Sequence, residues 1–291
     1  MPEIKPNLCR TVLFTPANRP DRYEKAGTMS AADGVVLDLE DAVPLPDKDQ
    51  ARADLVNYLS NHQGIVSDHP IMTAIRINAI STHAGIKDLT ALIDADIMPQ
   101  ALFLPKVQNA HEIELYYSLL STNQPCTTPF IAAIETAYGM EFAHEIAAHP
   151  QVVAIAFGGG DLAADLGVTL NFSSTIAYRS RIVQAARYAG KAAWDVPYLD
   201  FKDESGLRKE TQEIKDLGFT TKIAIHPAQL QPIVDILSPS QAEIDEAKAI
   251  VDTYKKAGGS ACEYRGKMLD IPVVKKCEAM LDRVKLLGGG D

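Results

Sequence analysis

Phe130-Ile131-Ala132-Ala133-Ile134-Glu135 and, after a helix-like interval, Val152-Val153-Ala154-Ile155-Ala156-Phe157-Gly158-Gly159-Gly160-Asp161 are the stretches that decide the fold. Each run is apolar without alternation, as expected for a parallel strand covered on both faces, and each leads into a carboxylate. Runs of the same kind stand at 11–15, 34–39, 73–78 and 101–107 before this pair, and at 191–196 and 221–225 after it. Most intervals between them hold a helix-like stretch, such as 178–189. Eight β-rich runs alternating with helices predict an α/β fold, a (β/α)8 TIM barrel over residues 1–237. An open doubly wound sheet is the competing arrangement, but no run is followed by G-x-G-x-x-G at a helix start. Past the eighth run, 240–256 and 272–286 read as helices separated by Gly258-Gly259-Ser260, so residues 238–291 are expected to form a C-terminal helical extension.

Composition removes several functional classes. The 291 residues are 46% hydrophobic and 23% charged, ordinary for a globular protein. With 28 Lys and Arg against 38 Asp and Glu, the net charge of -10 repels a phosphate backbone, so neither nucleic acid nor an anionic membrane is an expected partner. A local basic pocket for one phosphorylated ligand stays compatible with that total. The longest uncharged stretch, 115–134, carries Ser, Thr, Asn, Gln and two prolines and does not suit a membrane span. Residues 1–10 lack an apolar core of the secretory type. Cys9, Cys126, Cys262 and Cys277 are scattered without C-x-x-C spacing, which suits reduced thiols and a cytoplasmic location.

In a barrel of this kind the chemistry sits at the carboxyl ends of the strands. Reading off those ends gives Asn18, Arg19, Asp38, Glu40, Asp41, Arg76, Asn78, Lys106, Glu135, Asp161, Asp195 and His226. So many ionisable groups at one face point to an acidic substrate or a metal. Glu135 and Asp161 end adjacent strands, and two carboxylates with room for water suit Mg²⁺ or Mn²⁺. The plainer alternatives are a surface salt bridge for Glu135 and a helix cap for Asp161. Gly158, Gly159 and Gly160 would let backbone N–H groups approach an anion, or form only a turn. Asp38, Glu40 and Asp41 crowd one strand terminus and need a compensating cation, either by orienting waters on a metal or, for Asp41, by favouring a helix N-terminus. Arg76 stands in an apolar strand and must hold a carboxylate, of substrate or of protein. His144-Glu145-Ile146-Ala147-Ala148-His149 mimics a zinc motif, but its five-residue spacing puts the imidazoles on different helix faces. Trp194 and the tyrosines suit core or rim positions, and no G-x-S-x-G or Cys/His pair supports a nucleophile.

Taken together, the motifs resemble the citrate lyase β-subunit-like (CitE-like) branch of the HpcH/HpaI aldolase superfamily, which also holds malyl-CoA and citramalyl-CoA lyases. The carriers span nearly the whole chain: Leu13-Phe14-Thr15-Pro16-Ala17-Asn18-Arg19-Pro20-Asp21-Arg22, Val36-Leu37-Asp38-Leu39-Glu40-Asp41-Ala42-Val43, Arg76-Ile77-Asn78, Leu104-Pro105-Lys106-Val107, Ile134-Glu135-Thr136-Ala137, Phe157-Gly158-Gly159-Gly160-Asp161-Leu162, Ile225-His226-Pro227 and Gly266-Lys267-Met268-Leu269-Asp270. The resemblance implies a Mg²⁺-dependent lyase with Glu135 and Asp161 as metal ligands, and with Arg76, Gly160 and Asp161 at a 2-oxo acid. It implies Asp270 as a general acid/base reaching a neighbouring subunit, hence a homotrimer or hexamer, and Arg19 and Lys25 at the phosphates of CoA. The implied reaction is cleavage of a β-hydroxyacyl-CoA to a short acyl-CoA and a 2-oxo acid, with citramalyl-CoA the first expected substrate and malyl-CoA the next. Gly160 precedes Asp161 where citrate lyase β subunits usually carry Glu, which favours free CoA thioesters over a carrier-bound citryl group. Ala17 and Ile271 replace a common glycine and arginine. The alternatives are a citrate lyase β subunit, a pyruvate-dependent class II aldolase and a non-enzymatic sensor of a 2-oxo acid or CoA.

Overall fold

A computed structural model describes residues 5–62 and 64–287. Eight parallel strands close into a barrel in sequence order, with β1 pairing both β2 and β8. They are β1 (Thr11–Pro16), β2 (Gly34–Asp38), β3 (Met72–Arg76), β4 (Ala101–Leu104), β5 (Phe130–Ile134), β6 (Val152–Phe157), β7 (Ala192–Asp195) and β8 (Thr221–Ala224). The helices of the barrel unit are α1 (Tyr23–Gly27), α2 (Lys48–Asn61), α3 (His83–Asp94), α4 (Ala110–Leu120), α5 (Ala137–Glu141), α6 (Ala143–Ala148), α7 (Gly159–Leu166), α8 (Phe172–Tyr188), α9 (Glu204–Leu217) and α10 (Leu230–Leu237). The expected (β/α)8 barrel is therefore the observed fold. None of the described helices is long and apolar enough to cross a membrane.

Local sequence sets where several helices start. Thr82, Asn109, Asn171 and Asp203 precede α3, α4, α8 and α9, and each side chain accepts a hydrogen bond from a backbone N–H of the first turn. Such a cap stabilises a helix by about 1 kcal/mol and fixes where the chain leaves the strand end.

The period-two alternation of the strands sorts their residues into two cores. Val36, Met72, Ala74, Ala101, Phe103, Ile131, Ala133, Ala154, Ala156, Ala192, Trp194 and Ile223 fill the barrel interior with Val12. Leu37, Ile75, Leu102, Leu104, Ala132, Ile134 and Ile155 face the helices. Burying each such Leu or Ile contributes about 1.5–3 kcal/mol. The same alternation decides which strand-end groups reach the mouth. Asp38, Arg76 and Glu135 each stand two residues beyond an inward residue, Val36, Ala74 and Ala133. Asp195 follows the inward Trp194 and so points outward. It is wholly buried between Arg179 of α8, whose Nε donates to Oδ1 at 2.8 Å, and Lys222 of β8, whose Nζ donates to Oδ2 at 2.6 Å. Its expected place at the catalytic face is thus corrected to a place in an ion cluster beneath the helices. Asn78 is likewise structural, giving its backbone and side-chain N–H groups to Asp88 at 2.8 and 2.6 Å.

The chain divides into two compact units, Met1–Leu237 and Ser238–Asp291. The second holds α11 (Gln241–Lys256), an antiparallel hairpin of β9 (Cys262–Tyr264) and β10 (Lys267–Leu269), and α12 (Ile271–Leu286). Val251, Leu269 and Val274 form its small core. The hairpin is an addition to the helices expected for this extension.

Candidate active site

Pairing of β2 with β3 sets Asp38 opposite Arg76. The guanidinium gives Nε and Nη2 to the two Asp38 oxygens at 2.7 and 2.6 Å. Its Nη1 lies 3.0 Å from Glu40 Oε2 and 3.9 Å from Asp41. The carboxylate that holds the Arg76 fork in this arrangement is therefore protein, and Nη1 faces Glu40 without a hydrogen bond to it. Phe14 packs under the guanidinium at 4.9 Å, a cation–π contact that keeps it flat against the mouth.

Glu135 follows β5 and is 5% exposed. One oxygen accepts the Lys106 backbone N–H at 3.1 Å. Burial, then the charge of Glu40, pushes its carboxyl up to about 8, against the pull of Arg76 and Lys106. Gly158 makes room for it, because a Cβ there would stand 2.1 Å from the Glu135 side chain. Asp161 lies in the first turn of α7, whose N-cap is Gly158, so it does not cap the helix as the plainer reading had it. Its carboxylate is about half exposed, and Lys106 Nζ lies 3.1 Å from Oδ2.

The Lys106 ammonium also bonds Glu40 Oε1 at 2.7 Å. Burial, the largest single influence, lowers its proton affinity, but the hydrogen bond to Glu40, the charge of Glu40, the contact with Asp161 and the charge of Glu135 together outweigh it and the net direction is up. Glu40 moves up as well, since its burial outweighs the nearby Arg76. Glu40 Oε2 is buried without a hydrogen-bond donor, the 3.0 Å contact with Arg76 lacking the angle for one. Lys106 stood among the strand-end residues of the sequence without a role, since nothing in Leu104-Pro105-Lys106-Val107 tells where an ammonium points.

Two cavities open here. One, of about 330 Å³, is lined by Glu135, Asp161, Gly158 and Gly160 on one side and by Phe14, Phe103, Phe157, Leu170, Val196 and Leu199 on another. The second, of about 750 Å³, carries Arg19, Arg22, Lys25 and His226. Arg76, Asp41, Phe14 and Ile225 line both. The lining also holds Asp21, Asp38 and Asp41, with Asp21 paired to Arg19 and Asp38 to Arg76, so that Arg22 and Lys25 are the cations of this lining that suit an anionic ligand. Arg19 is held by Asp21 at 2.8 and 2.7 Å, and Arg22 joins it from the next turn, an addition to the expected pair Arg19 and Lys25. The 19, 22, 25 spacing, three residues each, was the available signal for one helical face.

The carboxylates fit a hard divalent ion. Glu135 is buried with a proton affinity that a cation would reverse, Asp161 faces the cavity, and an ammonium already occupies the cationic position on Asp161. Among the described residues no group of three or more His, Cys, Asp or Glu is placed to hold a metal ion. Two carboxylates leave an ion open to water and ligand oxygens, as Mg²⁺ prefers. The two histidines of the zinc-like motif go separate ways, His144 onto the Tyr188 ring and His149 onto Glu114.

Asp270 lies in the second unit at the N-cap position of α12, yet its side chain makes no capping bond. Its carboxylate is not spent on the helix, in contrast to Ser240, which caps α11 in a reciprocal bond with Glu243.

Comparison with known proteins fits this architecture. The chain is 36% identical to a (3S)-malyl-CoA thioesterase of Cereibacter sphaeroides, over 90% of this chain and 89% of that protein. It is 31% identical to the mitochondrial citramalyl-CoA lyase of Homo sapiens, over 92% and 83%. It is 30% identical to the citrate lyase subunit beta of Haemophilus influenzae, over 96% and 97%. Among solved structures, CitE of Mycobacterium tuberculosis in complex with magnesium, acetoacetate and coenzyme A superposes with a TM-score of 0.78 at 32% identity, covering 94% of this chain and 97% of that one. Residues 10–227 match the HpcH/HpaI aldolase/citrate lyase profile, and with these relatives along the rest of its length the chain belongs to that family.

Proposed function

We propose that the protein is a Mg²⁺-dependent carbon–carbon lyase that cleaves a β-hydroxyacyl-CoA, citramalyl-CoA first and malyl-CoA next, to a short acyl-CoA and a 2-oxo acid. The observation that carries this reading is the junction of two cavities at Arg76, a basic one of about 750 Å³ and a carboxylate-lined one of about 330 Å³. Arg19, Arg22 and Lys25 would meet the phosphates of CoA in the first, and the thioester would pass Arg76 into the second. Relatives that act on CoA thioesters and a neighbour holding magnesium and coenzyme A support the same assignment.

Glu135 and Asp161 would hold the magnesium ion. Bound magnesium supplies compensation for negative charge on the hydroxyl and carboxylate oxygens of the substrate. Asp38 fixes the Arg76 fork, so that Nη1, shared with Glu40 at 3.0 Å, would meet an oxygen of the 2-oxo acid. In the cleavage direction the substrate hydroxyl would give up its proton to the Asp270 carboxylate and become the ketone of the 2-oxo acid. The C–C bonding pair moves to the thioester fragment as an enolate, and Asp270 donates a proton to its carbon. The N–H groups at Gly160, where the missing side chain leaves open space, would face the developing oxyanion. Asp270 serves a neighbouring subunit in this scheme, which makes the active species a homo-oligomer, trimer or hexamer.

The apolar wall of Phe14, Phe103, Phe157, Leu170, Val196 and Leu199 favours pyruvate, with its methyl group, over oxaloacetate, whose second carboxylate would need a further cation. The test incubates purified protein and MgCl₂ with (S)-citramalyl-CoA, (R)-citramalyl-CoA and malyl-CoA separately and follows 2-oxo acid release, with Asp270→Ala as control. Turnover of one thioester, lost in the variant and on chelation with EDTA, is the expected outcome. Turnover of a carrier-bound citryl group alone would move the assignment to a citrate lyase β subunit. Aldol reaction of pyruvate with aldehydes, spared in Asp270→Ala, would make it a class II aldolase.

A further inference from the structure

Lys106 touches both carboxylates at the mouth of the barrel in different ways. Its backbone N–H bonds Glu135 at 3.1 Å, while its ammonium lies 3.1 Å from Asp161 and bonds Glu40 at 2.7 Å. This double contact rests on an unusual backbone, since Lys106 has a φ of 53°, in the left-handed region that non-glycine residues seldom enter. Strain of that kind persists only where the surroundings hold it in place, and it clusters at functional sites. The charge balance shows what the ammonium does. Glu40, Asp41, Glu135 and Asp161 converge here, and Arg76 is already committed to Asp38. Among the described residues, Lys106 is the cation paired with Asp161.

We propose that the Lys106 ammonium is the resident counter-cation of the carboxylate site and yields its contact with Asp161 when a divalent ion binds, so that Lys106 sets the metal affinity together with Glu135 and Asp161. The inference rests on the metal assignment made above. A divalent ion on a carboxylate oxygen sits closer than a hydrogen-bond donor does, and an ammonium on that same carboxylate would be strongly repelled. Glu40 Oε1, at 2.7 Å, and Asp41, at 3.9 Å, retain Lys106 after it lets go of Asp161. Lys106 is then a positioning residue that competes with the metal, not a ligand that recruits it.

A residue that merely held the carboxylates in place would, on removal, weaken metal binding. A competing cation would, on removal, strengthen it. Metal-free protein is titrated calorimetrically with MnCl₂ and with MgCl₂, as wild type, Lys106→Met, Lys106→Arg and Glu135→Gln. The expected result is binding by Lys106→Met about fivefold tighter than by wild type, the size of a partly exposed ion pair, with Lys106→Arg close to wild type. Lys106→Met should also melt at a lower temperature without metal and regain more on adding MnCl₂ than wild type does. Equal or weaker affinity in a Lys106→Met protein with the wild-type circular dichroism spectrum overturns the proposal. If that variant does not fold, Lys106→Gln is read by the same criterion. Absence of binding in wild type and in every Lys106 variant, or unchanged binding in Glu135→Gln, instead overturns the metal assignment, and this inference with it.

Discussion

Glu135 is a carboxylate whose surroundings differ sharply from water. Its carboxyl is pushed up to about 8 from an ordinary 4.5, by burial first and then by Glu40. Between those two values the unfolded chain has released this proton while the folded chain keeps it. The folded state therefore binds more protons, and stability must fall as pH rises through the window, levelling above about 8. For the metal-free protein we expect urea denaturation to show a loss approaching 1 kcal/mol per pH unit between about pH 5 and 8, absent in Glu135→Gln. Saturating MgCl₂ should flatten the slope, since a cation on the carboxylate removes the reason for holding the proton. A slope unchanged in Glu135→Gln would assign it to other groups. The identities of Glu135, Asp161 and Arg76 were legible because each ends a strand motif. What the sequence left open was the partner of Arg76, since no spacing distinguishes a protein carboxylate from a substrate one. Strand register resolves it by setting Asp38 opposite Arg76.

At the scale of elements, the barrel was legible because its strands are uninterrupted apolar runs between helical intervals. The same uniformity hides which residues point inward: a strand buried on both faces carries no alternation in its sequence. Asp195 and Glu135 both follow apolar runs, yet only Glu135 has the parity of the inward residues. The hairpin of β9 and β10 was illegible for another reason. Its strands are three residues long, and its two-residue turn, Arg265-Gly266, puts positive φ at an arginine, where Asn or Asp would have been the usual signal. The ion cluster exposed by the parity error makes a prediction of its own. Lys222 is fully buried, with Nζ bonded to Asp195, Glu210 and the Val196 carbonyl. It ties β7, β8 and α9 together behind the mouth. Lys222→Met removes one partner and leaves buried carboxylates short of a cation, so it should destabilise the protein by about 3–5 kcal/mol in urea denaturation. A loss under 1 kcal/mol would mean that Arg179 alone, already at 2.8 Å from Asp195, balances the cluster.

At the scale of the whole molecule, the proposed chemistry is divided between two compact units, the barrel with Glu135, Asp161 and Arg76 and the C-terminal unit with Asp270. If Asp270 completes the site of a neighbouring subunit, each active centre draws its barrel from one chain and its general acid from another. That arrangement has a consequence no single-chain mechanism shares. Glu135→Gln and Asp270→Ala should each be inactive as purified homo-oligomers on the thioester that wild type turns over. When equal amounts are unfolded together and reassembled, or co-expressed with different tags, a centre that pairs the intact barrel of one variant with the intact tail of the other becomes complete. Random assortment in a ring that closes on itself restores about a quarter of wild-type turnover, because each centre needs one particular choice of chain at two positions. Size-exclusion chromatography of the mixture, with both tags captured on one species, shows that mixing took place. Mixed oligomers without regained turnover would place Asp270 and Glu135 of one active centre on the same chain, and the C-terminal unit would then serve its own barrel.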